Sequence, residues 1–280
     1  MQIVDSHVHY WDPAQMRLVW LDAQTLIDAP VQPDSVPAGG SGWTVEKIVA
    51  VQSSVISQQA LVEAEWLSSL AAQDSRIRAI IAFAPVEEGA NVRAWLDRLK
   101  VLPMVRGVER PLKTEAAGFA VSPAFIEGVR ALADYGWSFG ISAKTEQLGD
   151  ATALAQACPN VQFALNHAGY PDIAGKAFET WRNAITPFAA LPNVVCKLSG
   201  LLALADNLNW TPPDLQPYID HVIASFGVDR VMFGSNSPMY RLAGSTYAAW
   251  ADVALRAISK LGAADQEKIF TGNAARFYKI

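Results

Sequence analysis

Cysteine is nearly missing from this chain: Cys158 and Cys196 are the two among 280 residues, far apart and in no CxxC or Cys/His spacing. A disulfide framework or zinc ribbon needs more, so reduced thiols in a cytoplasmic protein are expected. Charge is sparse too. Charged residues make up 18% of the chain, and the formal net charge is -5. No cluster of lysine and arginine exists of the kind that neutralises phosphates, which argues against a nucleic-acid partner. No stretch approaches the roughly eighteen uninterrupted apolar residues of a membrane span, and no basic segment followed by an apolar run opens the chain. Neither membrane insertion nor export is expected. A GxSxG elbow, a Walker loop and a GxGxxG after a strand are also absent, which disfavours serine-nucleophile hydrolysis and nucleotide binding.

What the chain has is apolar material: 51% of residues, nine of them tryptophan. Most of the tryptophans are expected in packing and a minority lining a pocket. Short runs rich in Val, Ile and Phe recur, each followed by a longer segment of helical spacing, the alternation of a parallel sheet. Eight such runs are found: Ile3 to Ser6, Ile48 to Gln52, Ile77 to Phe83, Val105 to Val108, Trp137 to Ser142, Val161 to Asn166, Val194 to Leu198 and Val231 to Gly234. Eight strand-then-helix units predict an α/β chain folded as a single (β/α)8 TIM barrel over residues 1–280. The segment from Gln58 to Ala72 carries an apolar stripe, Ser122-Pro123 has the form of a helix start, and Ala264 to Phe277 is expected as an extra C-terminal helix. The irregular segment 28–44, rich in proline and glycine, is expected as a loop on the catalytic face.

Histidine is also scarce, four in all, and its placement is informative. His7 and His9 lie two apart at the end of the first strand, so both project to one side. His167 follows 161-VQFALN-166, at the C-terminal end of another strand, where barrels of this type keep their chemistry. Three of the four histidines thus fall on one rim. His221, in the helical pattern 217-PYIDHVIASFG-227, is read as structural. Three imidazoles suit either a divalent metal, zinc above all, or direct hydrogen bonding to a polar substrate. The last strand, 230-RVMFGSNSP-238, brings Ser235, Asn236 and Ser237 to the same rim.

HxH after the first strand, His after a later one and FGS-x-x-P after the last: this order resembles the amidohydrolase superfamily of barrel hydrolases along the whole chain. More narrowly, DSHVHYWDP from Asp5, WLD from Trp20, LNHAGYPDI from Leu165, CKLSGL from Cys196 and AARFY from Ala274 are similar to the branch of sugar-acid lactonases and pyrone-dicarboxylate lactonase. In that family the residue after FGS is usually an aspartate, which deprotonates the attacking water and, in metal-bearing members, also binds the metal. The matching residue here is Asn236, whose amide has no useful basicity near neutral pH. The resemblance therefore implies either no cofactor or one metal held by His7, His9 and His167. Asn236 itself reads three ways: as the native residue of a subgroup with altered chemistry, as an introduced substitution, or as the mark of a relative that binds without turnover.

Other candidates stand at strand ends. Glu109 is either a buried base or the ion-pair partner of Arg106 or Arg110. Lys144 is a further acid/base candidate. Lys197 points into the barrel and either holds a substrate oxygen or pairs in the wall. Arg110 and Arg241 are candidate anion binders. Tyr10 and Trp11 are expected on one pocket wall, with Tyr170 and Tyr240 on another. The sequence thus predicts hydrolysis of a small cyclic ester, with His7, His9, His167 and Asn236 at the carbonyl. Lactone isomerisation, decarboxylation or binding without catalysis are the alternatives. A homo-oligomer is compatible with the chain.

Overall fold

The computed structural model describes residues 1–206 and 209–280. Eight parallel strands form one sheet in chain order: β1 (Gln2–His9), β2 (Trp43–Val51), β3 (Ile77–Phe83), β4 (Val105–Glu109), β5 (Ser138–Ile141), β6 (Phe163–Leu165), β7 (Val194–Leu198) and β8 (Val231–Phe233). A two-residue strand, Gly39–Gly40, adds antiparallel to β2. The ends of the sheet meet. Val8 bridges Ser237 in parallel, His9 N donates to Ser237 O (2.9 Å), and Asn236 N donates to His7 O (2.8 Å). The buried Asp5 carboxylate staples the same seam, accepting from His7 N (3.1 Å) and Ser235 N (2.8 Å). The chain is a (β/α)8 barrel.

From β2 onward each strand is followed by a helix: α1 (Ala60–Gln73), α2 (Val92–Lys100), α3 (Pro123–Ala131), α4 (Leu148–Ala157), α5 (Phe178–Ala189), α6 (Pro212–Phe226) and α7 (Tyr247–Ala257). Strand residues alternate between two apolar layers, which is why these strands read as continuous apolar runs. Val49, Val51, Ala79, Ile81, Ala164 and Met232 pack inside the barrel, whereas Ile48, Ala50, Ile80, Phe163 and Phe233 pack against the helices. The C-terminal helix runs from Ala263 through a π-turn at Lys268–Gly272 to Tyr278, and Tyr278 joins the interior layer as a plug. α3 starts as expected, with Ser122 Oγ accepting from Phe125 N and Pro123 in the first turn.

The tryptophans pack, and they also fix the rim. Indole N–H groups donate to carbonyls at strand ends: Trp20 to Ser53 O (2.7 Å), Trp95 to Phe83 O (3.0 Å), Trp181 to Ala168 O (2.7 Å) and Trp250 to Gly234 O (2.8 Å). Each satisfies a backbone acceptor where the sheet ladder stops.

Segment 28–44 runs from one end of the barrel to the other. It starts at the catalytic rim, where Val31 bridges Trp11 and Ala29 O accepts from Trp11 Nε1 (3.0 Å), and it continues to the opposite end, where Arg76, just before β3, gathers the carbonyls of Pro33, Val36 and Pro37. Trp43 and Thr44 already belong to β2.

Glu63 of α1 is buried and accepts from Ser53 N (2.6 Å), holding the chain just past β2. Desolvation pushes its carboxyl from 4.5 up to about 8. The folded protein then keeps a proton that the unfolded chain releases, so stability is full below 4.5 and declines as pH rises to about 8. Glu63→Gln keeps the acceptor and removes the titration. Its melting temperature should match the parent at low pH and exceed it above about 8; parallel melting curves across pH would refute this origin.

Candidate active site

His7 and His9 face the pocket because β1 contains a bulge. Asp5 pairs with Ile48 but Val8 with Ala50, so three residues of β1 oppose two of β2. One extra residue reverses the side-chain alternation. Below the bulge Val4 packs inside the barrel; above it Val8 packs outside, and the histidines on either side of Val8 turn inward. The rim also concentrates backbone strain. His167, Ala168, Tyr170 and Asn236 have φ between 50° and 55°, a region L-residues rarely occupy.

Hydrogen bonds fix the imidazole tautomers. His9 Nδ1 lies 3.1 Å from Val51 O and must donate to it, leaving Nε2 with its lone pair. Lys197, wholly buried, lies with Nζ 3.2 Å from His7 Nδ1. Burial lowers this lysine to about 8, so near neutral pH it is still an ammonium and donates. His7 Nδ1 is therefore an acceptor and its Nε2 carries the hydrogen, which points at His9 Nε2 2.9 Å away. Desolvation, with Lys197 next, keeps His7 well below the usual range; desolvation brings His9 to about 4. Both rings are neutral. His167 is likewise held low by burial, and its Nδ1 lies 2.8 Å from Ser199 Oγ.

Beneath this group is Glu109. Its carboxylate accepts from Gln52 Nε2 (3.2 Å) and Asn166 Nδ2 (2.8 Å), and burial raises its pKa while the nearby Lys197 charge lowers it. Gly140 on β5 makes the room, since a Cβ there would stand 2.9 Å from Glu109 Oε2. Asn236 is buried, and its Oδ1 has no hydrogen-bond partner among the described residues.

These groups open into a cavity of about 570 Å³. His7, His9, Trp11, Glu109, Arg110, His167, Tyr170 and Asn236 all line it. Four expected residues do not. Lys197 lies behind His7 and contacts the histidine, not the lumen. Tyr10 alternates away from His9 into the layer under the first loop, fully buried. Tyr240 spends its hydroxyl on Ser237 Oγ (3.2 Å), and Arg241 is exposed on the turn beyond. Arg110 lines the cavity with its donors committed: Nε to Glu87, Nη2 to Glu115, and Nη1 to Pro111 O. It is thus Arg110's carboxylates, not Glu109, that pair with it. Lys144 sits 52% exposed beside Glu146, and His221 on α6 bonds Thr186 and Ser225. The wall also holds Gln52, Ser142, Trp20 and Lys113, which the sequence reading missed. Gln52 and Ser142 close two recognised strand runs, and a reading of rim positions for any polar residue would have found them.

The donors as arranged do not fit a metal ion. Among the described residues no three His, Cys, Asp or Glu side chains converge as a metal site. With Lys197 donating to Nδ1, His7 offers a hydrogen, not a lone pair, at Nε2, and Asn236 supplies no negative charge.

Comparison with known proteins agrees with this architecture. An L-fucono-1,5-lactonase of Burkholderia ambifaria is 29% identical across 99% of this chain and 95% of its own length. An amidohydrolase of Burkholderia multivorans, solved with bound zinc, is 28% identical and superposes over the whole of both chains with a TM-score of 0.90. A probable 2-pyrone-4,6-dicarboxylic acid hydrolase of Acinetobacter baumannii, solved with citric acid bound, shares the fold at 16% identity, with a TM-score of 0.77 over both chains. The family model described as amidohydrolase matches residues 4–280, and the chain belongs to that family.

Proposed function

We propose that the protein is a lactonase that opens a small cyclic ester by water attack, using the His7–His9 pair in place of the missing aspartate. The observation carrying this reading is the hydrogen-bond order Lys197 to His7 to His9 to Val51 O, which makes one imidazole a donor and its neighbour an acceptor at a single point in the cavity. The lactone carbonyl takes the place of His9 as acceptor of the His7 Nε2 hydrogen. The freed His9 Nε2 then accepts a proton from water, and the water is oriented by Asn236 Oδ1. Attack gives a tetrahedral oxyanion held by His7, whose donor strength is raised by the ammonium behind it. Collapse breaks the ring C–O bond, and the proton on His9 passes to the departing alkoxide. Water has been added across the ester, and both histidines return to their starting tautomers.

At about 4, His9 has the basicity of an ordinary carboxylate, the group that the family resemblance implies where Asn236 stands. Glu109 is less suited to the role because both of its oxygens already accept amide hydrogens; it is the counter-ion that lets Lys197 stay charged. The fucono-lactonase relative supports a lactone as substrate. The cavity suits a small molecule, and among the described residues no helix is long and apolar enough to cross a membrane.

The first test is turnover of a panel of sugar-acid and pyrone lactones in ¹⁸O water. One label in the product carboxylate is expected. Isomerised product or released CO₂ would replace hydrolysis by another reaction, and no turnover of any lactone would remove the reading.

The pH profile of kcat follows from the two tautomer-setting groups. Below about 4 His9 is protonated and cannot accept; above about 8 Lys197 loses its proton and His7 loses its donor. Activity should fall on both sides. His9→Asn, which preserves the donor to Val51 O, should cut kcat by roughly 10²–10⁴. Lys197→Met should cut it by about 10²–10³ and abolish the alkaline limb; an unchanged limb would show that Lys197 does not set it.

Because the donor set does not fit a metal, dialysis against a chelator should leave turnover intact. Loss that zinc alone restores would overturn the histidine-only scheme.

A further inference from the structure

One charged group of the cavity touches none of the reacting atoms in this chemistry, although its charge helps to keep His9 and His167 neutral. Lys113, four residues beyond the end of β4, lines the wall and lies with Nζ 4.7 Å from the centroid of the Tyr170 ring. Tyr170 in turn meets His167 edge to face, with centroids 4.9 Å apart. One aromatic ring is therefore shared by the ammonium and the histidine cluster. Among the described residues Lys113 has no salt-bridge partner. Among the described residues Glu109 is the one carboxylate in the cavity wall, and it is satisfied elsewhere: its oxygens take Gln52 and Asn166, and the Lys197 ammonium acts on it more strongly than that of Lys113. The other cation in the wall, Arg110, is closed off by Glu87 and Glu115. Elsewhere in the cavity wall, Trp11, Trp20, Val55, Met239 and Leu242 offer no counter-charge. A half-buried ammonium facing a ligand cavity, with hydroxyls of Thr114 and Ser142 in the same wall, is the chemistry of an anion subsite.

We infer that Lys113 is the carboxylate-binding end of the pocket and that the substrate is an anionic lactone, its carboxylate lying across the ring from the carbonyl under attack. This rests on the lactonase reading and narrows it. Tyr170 serves as the spacer: its ring contacts both the ammonium and His167, so the ester and the carboxylate of one substrate are held at the two ends of a fixed length. A neutral lactone fills the same volume without meeting the charge.

The test uses a matched pair, glucaro-1,4-lactone and glucono-1,4-lactone, which differ in a carboxylate against a hydroxymethyl group. The full-length protein should favour the anionic member in kcat/KM by at least about tenfold, the scale of a hydrogen bond to a charged group. Lys113→Met should lower the anionic lactone's kcat/KM by about tenfold more than that of the neutral one, mainly through KM, and Lys113→Arg should restore part of the preference. An equal drop for both lactones, or a parent enzyme indifferent to the carboxylate, overturns the inference. If neither lactone is hydrolysed, calorimetric binding of glucarate against gluconate reads the subsite independently. Dianion preference lost in Lys113→Met upholds the subsite while the lactonase reading fails; no preference overturns the subsite itself.

Discussion

The contact on which the site depends is the 3.2 Å hydrogen bond from Lys197 to His7 inside the barrel. A buried ammonium is expensive, of the order of several kcal/mol even after the protein relaxes around it. The interior is arranged to carry that cost. Glu109 supplies the opposite charge from β4, Tyr278 of the C-terminal plug turns its ring toward Nζ at 5.6 Å, and Gly140 leaves space where a larger side chain would push Glu109 aside. Barrel interiors are normally filled with branched aliphatics. Here one layer is given up to a lysine and a glutamate, and what the layer returns is a defined hydrogen on His7 Nε2.

That hydrogen is useful only if the two rings meet, and the meeting is a property of the backbone. Without the extra residue in β1, His7 and His9 would continue the alternation of Ile3 and point into the helix layer. The same principle operates at the other strand ends. His167 and Asn236 reach the cavity from left-handed backbone positions. The strain there is borne by a rim pinned from outside by indole N–H groups, Trp181 on Ala168 and Trp250 on Gly234, each next to or near a strained residue. Helix packing and site geometry are thus coupled through single hydrogen bonds.

Why the sequence disclosed some of this and not the rest follows from the same geometry. The eight strands were legible because parallel strands buried on both faces leave unbroken runs such as 77-IRAIIAF-83, and the histidines were legible because a residue at the C-terminal end of such a run has one place to be. Inside the runs, alternation located Lys197 in the barrel but could not tell how deep it lies; it stands one layer below the lumen. Beyond the runs, alternation lapses. Tyr10, Tyr240 and Arg241 sit after a bulge or within 3-10 turns, where neighbours in sequence face unrelated directions, and they were misplaced on that account. Segment 28–44 meets the catalytic rim through Ala29 and Val31, but its descent to the opposite end is not legible in the sequence because its anchor there, Arg76, is more than thirty residues away. Lys113 was overlooked since nothing in RPLK sets that lysine apart from Arg110 before it; only the structure shows that Arg110 is spent on two glutamates and Lys113 on none.

Asn236 fits the charge arrangement that these residues define. An aspartate at that position would bring a carboxylate to the ring cluster, stabilise an imidazolium and compete with the tautomers that Lys197 and Val51 impose. It would also supply the anion that makes a histidine group attractive to a divalent cation. With an amide, the cluster stays neutral, its tautomers are dictated by partners on β2 and β7, and the acceptor role passes to His9 at carboxylate-like basicity. The negative charge that an aspartate would have contributed is then left for the substrate to bring. A neutral histidine site flanked by an unpaired ammonium is therefore a coherent design: the loss of the acidic side chain and the presence of Lys113 both favour a ligand that carries its own carboxylate.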